Sequence, residues 1–164
     1  MTGRSRLFGG LALAVMLPAT GANAAQELTL DMAETMADAC YARAVEAGWL
    51  PVNITILDDG GNLKYFRRMD DAFIGSIQIS QLKAKTSAML PFSTRFVGDE
   101  IAYKDPAKPH GIQHVPGVVV FPGGLPIKLA DGTPIGSIGI SGATADQDEE
   151  CAQAAIDAIA DALQ

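Results

Sequence analysis

The two histidines of the chain, His110 and His114, are the first residues whose spacing could serve chemistry. Histidines four positions apart on a helix can share a metal ion, but Pro109, Gly111 and two further prolines within residues 105–116 predict a loop instead. No third metal ligand accompanies them. Three interpretations remain open: a dedicated zinc site, ordinary loop histidines, or contact with a ligand, including axial ligation of haem iron.

A second group of polar residues lies along and just after a predicted helix. Lys83 and Lys85 extend from this helix, and Thr94 and Arg95 follow its end, where they could cap a helix or line a pocket. Lysine and arginine near a pocket can pair with the carboxylates of a ligand, such as haem propionates. The alternative, cations on a solvated helix face, remains open.

Signatures of common enzymes are missing. The sequence has no serine in a G-x-S-x-G turn and no C-x-x-C pair. Residues 136–142 are rich in glycine, but they lack the lysine of a phosphate-binding loop. Alternating glycines in a strand more often allow close approach of another backbone. The sequence therefore does not indicate an enzyme, and binding is the favoured activity.

The first 24 residues have the three parts of a signal peptide. Arg4 and Arg6 precede an apolar run at residues 7–17, and Ala22 to Ala24 forms a small-x-small cleavage site. The run is about half of the ~20 residues that span a bilayer. We therefore predict a single domain at residues 25–164 that is periplasmic or secreted, with no membrane span.

Export and charge limit what the chain can bind and how it is stabilised. The sequence carries 19 acidic against 12 basic residues, a net charge of −7, which argues against nucleic-acid binding. An oxidising compartment permits a disulfide between Cys40 and Cys151, the two cysteines. Two buried free thiols are the alternative, and the sequence does not fix the distance between them.

Hydrophobic periodicity and turn residues predict an α+β fold. One face of the second helix is expected to comprise Gly75, Ile79, Leu82, Thr86 and Met89. Links of hairpin length indicate an antiparallel sheet with helices packed on it. The predicted elements are a helix between Thr29 and Gly48, strands at 51–57 and 63–69, helices at 74–90 and 93–102, strands at 117–121, 125–130 and 134–141, and a helix capped by Thr144 that runs to about 163.

Six short motifs in order resemble the GlcG/HbpS family over nearly the whole of residues 25–164. Each is mostly turn and glycine residues, so the specificity lies in their combination and order. They are Asp58-x-Gly60-Gly61-x-Leu63, Arg68-Met69-Asp70, Lys83-Ala84-x-Thr86-x-Ala88, Gly123-Gly124-x-Pro126-Ile127, Asp131-Gly132 with Ile135-Gly136-x-Ile138-Gly139-x-Ser141-Gly142, and Asp146-Gln147-Asp148-Glu149.

The resemblance implies a profilin-like or PAS-like sandwich with a five-stranded antiparallel sheet. It also implies haem as cofactor, homo-oligomers up to octamers and, for extracellular members, a membrane sensor kinase as partner. A threonine after the Lys-Ala-x-Thr helix is implicated in haem contact, and Thr94 matches its place, although Pro91 is not directly before it as is usual in the family. The candidate cofactor-binding residues are Lys83, Thr94, Arg95, His110 and His114, with His114 the better iron ligand.

The sequence is thus identified as an exported haem-binding protein that captures or senses haem. Two alternatives stay open: a non-catalytic regulatory partner of an exported enzyme or sensor kinase, and a haem-degrading enzyme.

Overall fold

A computed structural model describes residues 26–105, 107 and 111–164. The predicted signal peptide and His110 lie outside these residues. Four antiparallel strands form one sheet in the order β2-β1-β4-β3. The elements are α1 (Leu30–Glu46), β1 (Asn53–Asp58), β2 (Leu63–Arg68), α2 (Ile74–Met89), α3 (Thr94–Phe96), a π-helical turn (Val97–Ala102), a 3-10 turn (Ile112–His114), β3 (Gly124–Lys128), β4 (Pro134–Ser141), α4 (Ala145–Asp157) and a final 3-10 turn (Ala160–Leu163).

Local sequence signals set the ends of the two helices that cover one face of the sheet. The Thr29 hydroxyl accepts the Met32 N–H at the start of α1. At the start of α4, Thr144 and Gln147 form a reciprocal capping box. Between these helices and the sheet lies the main hydrophobic core, to which the sheet contributes mainly isoleucines. Those isoleucines are Ile54, Ile56, Ile127, Ile135, Ile138 and Ile140.

Cys40 of α1 and Cys151 of α4 are joined by a disulfide bond in the structure, across 111 residues of sequence. Both residues are completely buried. The bond lies on the faces where the two helices pack, so it ties the beginning of the domain to its end. Closing so long a loop restricts the unfolded chain far more than the folded one.

The opposite face of the sheet carries polar and small residues, and α2 packs on it. The Thr55 hydroxyl is hydrogen-bonded to that of Ser80, and the Asn53 side chain donates to the Phe73 carbonyl. Gly139 leaves room for the helix backbone, because a Cβ there would overlap the Ser80 carbonyl oxygen and the Ala84 nitrogen. The helix therefore approaches the sheet more closely than large apolar residues would allow.

The face of α2 that is buried differs from the predicted one. The buried residues are Ser76, Ser80, Lys83, Ala84, Thr86 and Ser87. Of the predicted face only Thr86 is buried, and Met89 is 48% exposed. The buried residues of α2 are mostly small or polar because the face of the sheet beneath the helix offers hydroxyl groups and glycine.

The α+β fold is confirmed, but the sheet has four strands and not five. Residues 117–121, a predicted strand, run instead along α2, where the Val119 N–H donates to the Thr86 hydroxyl. At the edge of the sheet, the Gly124 N–H donates to the Thr94 hydroxyl, and Pro126, two residues on, has no N–H to offer a further strand. The sheet therefore ends at β3.

No helix among the described residues is long and apolar enough to cross a membrane.

The close approach at Gly139 can be tested by substitution. We expect Gly139→Ala to lower the free energy of unfolding in urea by at least about 2 kcal/mol, because the new methyl group must displace α2 from the sheet. Gly75→Ala is the matched control, since a Cβ at that helical position meets no atom within 4 Å. It should stabilise the protein by about 0.5–1 kcal/mol. Equal effects of the two changes would contradict this packing.

Candidate functional site

A buried ion pair connects α2 with the first turn of α4. The Lys83 ammonium lies 2.7 Å from Oδ2 of Asp148 and donates a second hydrogen bond to the Ile140 carbonyl, 2.9 Å away. The two side chains are 1% and 4% exposed. The other carboxylate oxygen, Oδ1, accepts the Ala143 N–H just before the helix. Each charge thus has more than one polar partner.

Burial disfavours the charged form of both partners. Burial lowers the pKa of Lys83 and raises the pKa of Asp148, and the attraction between the two charges opposes both shifts. Loss of one charge would therefore leave the other desolvated and unpaired, which costs far more than the pair itself contributes.

The turn that precedes β3 closes over this pair. Gly123 has φ of +120°, and a Cβ there would lie 2.6 Å from the Lys83 nitrogen and 2.8 Å from the Asp148 Cβ. The neighbouring Phe121 ring has its centroid 5.0 Å from the same nitrogen. A residue other than glycine at position 123 would therefore push the turn off the ion pair.

Thr94 and Arg95 support the same region from α3. Thr94 is completely buried, and its hydroxyl oxygen is 2.9 Å from the Gly124 nitrogen, whose N–H it accepts. Arg95 is bonded to Asp146 at 2.6 Å and to Glu149 at 2.9 Å, and these carboxylates raise its pKa.

Three of the predicted ligand-binding residues therefore come together, but their polar groups bond within the protein. The Lys83 ammonium is turned into the interior and is not presented to an external carboxylate. Thr94 is likewise enclosed, with its hydroxyl directed at the sheet edge. Only Arg95 retains an exposed guanidinium, and it is already paired twice. In this arrangement Lys83 and Thr94 position the surrounding backbone.

His114 lies apart from this cluster and is exposed. It ends the 3-10 turn, where its own N–H donates to the Gly111 carbonyl. The 3-10 turn packs against the π-helical turn, and Gly98 of the latter lies against Val120. His114 therefore belongs to a surface built from residues 92–103 and 111–121.

This surface exposes large apolar side chains that sequence reasoning did not select. The Phe92 and Phe96 rings are stacked 4.8 Å apart, and the Lys128 ammonium lies 6.0 Å from the Phe92 ring centroid. The spacing of these two phenylalanines, four positions apart across the start of the helix predicted at 93–102, was a signal that could have found them. We use the name aromatic face for the exposed aromatic side chains of these segments together with His114 and Val115: Phe92, Phe96, Tyr103, His114, Val115 and Phe121.

The chemistry of this face suits a flat, apolar ligand with acidic groups. Aromatic rings stack on planar ligands, the Lys128 ammonium can pair with a carboxylate, and an exposed imidazole can bind a metal ion. Among the described residues, no group of three or more His, Cys, Asp or Glu side chains could hold a metal ion.

The fold and the site define a small α+β sandwich in which the turn before β3 closes over an internal ion pair. The family described as "Haem degrading protein HbpS-like" matches residues 28–157. The chain therefore belongs to this HbpS-like family, which confirms the resemblance drawn from its sequence.

Individual relatives agree with this assignment. An uncharacterized 15.0 kDa protein of Citrobacter freundii, from the dhaT-dhaS intergenic region, is 40% identical over 132 residues, which are 79% of this chain and 90% of that protein. The crystal structure of a PduOC–haem complex has a TM-score of 0.71 and 30% identity, covering 81% of this chain and 95% of that one. A double mutant of Streptomyces reticuli HbpS has a TM-score of 0.71 and 28% identity, covering 94% and 99%.

The structural role of the ion pair predicts a large effect of breaking it. We expect Asp148→Asn to lower the free energy of unfolding by about 3–5 kcal/mol, because the Lys83 ammonium remains buried without its counter-charge. The double variant Lys83→Met/Asp148→Asn removes both charges and should lose less stability than Asp148→Asn alone. Urea unfolding monitored by circular dichroism measures these two variants and the single variant Lys83→Met. A double variant that loses the sum of the two single effects would contradict a coupled pair.

Proposed function

We propose that this protein binds haem on the aromatic face, with His114 as an axial ligand of the iron. The observation that carries the proposal is an exposed imidazole on a turn that packs against the π-helical turn, within segments that also expose aromatic side chains. The chain is also 30% identical to a protein crystallised as a haem complex. Haem is planar and largely apolar, with two carboxylates at one edge, so each of its parts has a suitable partner on this face.

Different residues of the chain would contact different parts of haem. The His114 imidazole supplies a nitrogen ligand, which is a common choice for haem iron. Phe92 and Phe96 offer a stacked pair of rings for contact with the porphyrin plane, and Lys128 offers a cation to a propionate. When bound, haem supplies an iron centre for redox chemistry. Thr94 and Lys83 act at a distance, by holding the backbone beneath this face.

We further propose that the protein is exported and captures or senses haem outside the cytoplasm. The proposal is supported by the signal-peptide pattern of residues 1–24 and by the Cys40–Cys151 disulfide, a bond that is typical of oxidising compartments. Homo-oligomers and a sensor-kinase partner, which the family resemblance implies, belong to the same proposal. Degradation is the second candidate function, because the matching family is described as haem degrading.

Titration with haemin tests the proposed site. We expect the protein to shift the Soret absorbance of haemin, and we expect His114→Ala to weaken binding about tenfold or more, because the iron loses its protein ligand. Thr94→Val is the control: it removes a hydroxyl group but nearly preserves shape, so it should reduce stability and leave the Soret maximum of the complex unchanged. No Soret shift with the unaltered protein, or a shift lost in Thr94→Val and retained in His114→Ala, would refute this site.

The same complex distinguishes capture from degradation. Incubated with ascorbate in air, a capture protein should keep an intact Soret band, whereas a degrading enzyme would lose the band and release iron.

A further inference from the structure

A groove separates the turn between β1 and β2 from the outer face of α2. Its wider part has a volume of about 290 Å³, and a narrower part of about 140 Å³ adjoins it through the shared residues Gly61 and Lys85. Its walls combine apolar and polar side chains from both elements, including Leu57, Gly61, Leu63, Gln81, Lys85 and Met89. None of these residues belongs to the ion-pair cluster or to the aromatic face.

The turn wall of the groove is fixed by hydrogen bonds. The Asp58 carboxylate accepts the Asn62 N–H at 2.8 Å, and the Gly61 N–H donates to the Asp58 carbonyl at 3.0 Å. The bond from the Asn62 N–H lowers the pKa of Asp58, so the carboxylate stays ionised and the turn stays closed at neutral pH. A wall that is already ordered loses little entropy when a ligand binds.

Lys85 is the cation of this groove, and its ammonium is free to receive an anion. Within the described part of the chain, Lys85 forms no ion pair, whereas Lys83 and Lys104 each pair with a carboxylate. The side chain is exposed and lines both parts of the groove. In a chain with a net charge of −7, an exposed lysine that forms no ion pair offers a place for a negative group.

Apolar side chains extend the groove on either side of that cation. Leu63 and Met89 are 58% and 48% exposed, and Leu57 is buried beneath them. The amide of Gln81 adds a neutral donor to the wider part. The Asp59 carboxylate, which lines the narrower part together with Lys85, disfavours a ligand with two negative charges. The combination of one cation, one amide and an apolar surface matches an amphipathic anion with a single charge.

We propose that this groove is a second binding site, for small monocarboxylic acids with a short hydrocarbon chain. The carboxylate pairs with the Lys85 ammonium and accepts a hydrogen bond from the Gln81 amide, while the chain lies on Leu63 and Met89. The site is independent of haem, since it shares no residue with the aromatic face. Its ligand could be bound whether or not haem is present.

Protection of Lys85 from acetylation tests the proposal directly. Haem-free protein is treated with sulfo-N-hydroxysuccinimidyl acetate at constant ionic strength, with and without hexanoate, and each lysine is quantified by peptide mass spectrometry. A carboxylate seated on Lys85 both covers the amine and keeps it protonated. We expect acetylation of Lys85 to fall about tenfold once hexanoate exceeds its Kd about tenfold, while Lys104 in the same sample is unaffected.

Two further comparisons test the charge of the ligand separately from its hydrocarbon chain. Hexanamide lacks the charge and acetate lacks the chain, so neither should protect Lys85 at the same concentration. Leu63→Asn should raise the hexanoate concentration needed for protection about fivefold or more, and Leu50→Asn, which alters an equally exposed leucine outside the groove, should not. Unchanged acetylation of Lys85 in hexanoate, equal protection by hexanamide, or full protection in Leu63→Asn at the original concentration would each overturn the proposal.

Discussion

The ion pair between Lys83 and Asp148 is the interaction on which the rest of this structure depends. Two charges enclosed in a protein are tolerated only when other polar groups satisfy them. Here the Ile140 carbonyl and the Ala143 N–H do so. These partners come from the end of β4 and the segment that leads into α4. The pair therefore fixes where α2, the sheet and α4 meet, and Gly123 lets the next turn close over it.

Enclosing that pair determines where ligands can bind. Lys83, a candidate because of its charge, and Thr94, a candidate because of the family resemblance, are occupied inside the domain. The exposed groups that remain lie further out, on segments that these buried residues hold in place. His114 and the aromatic face lie on one side, and the groove of Lys85 lies between α2 and the first hairpin. The buried polar cluster thus positions the backbone, whereas the exposed groups are those proposed to contact ligands.

The features that were predicted correctly from the sequence are those set by neighbouring residues in the chain. The caps of α1 and α4, the first hairpin and β4 were found from turn residues and periodicity. The four-stranded sheet and the buried face of α2 were not predicted, because both depend on tertiary partners. Residues 117–121 have the composition of a strand, but the Val119 N–H is bonded to Thr86. A lysine on a helix is rarely buried unless it is paired, and here the partner is Asp148, far away in the sequence. Surface aromatic clusters were missed because stacking is not visible until the segments fold together.

The most direct test of this account is a crystal structure of the protein with haemin bound. We predict that the iron is bonded to the imidazole of His114, that the porphyrin contacts Phe92 or Phe96, and that Lys83 and Asp148 remain paired beneath the Gly123 turn. Iron bonded to Thr94, or a Lys83 ammonium turned outward to a propionate with the pair to Asp148 broken, would contradict the division between a buried positioning cluster and an exposed binding face.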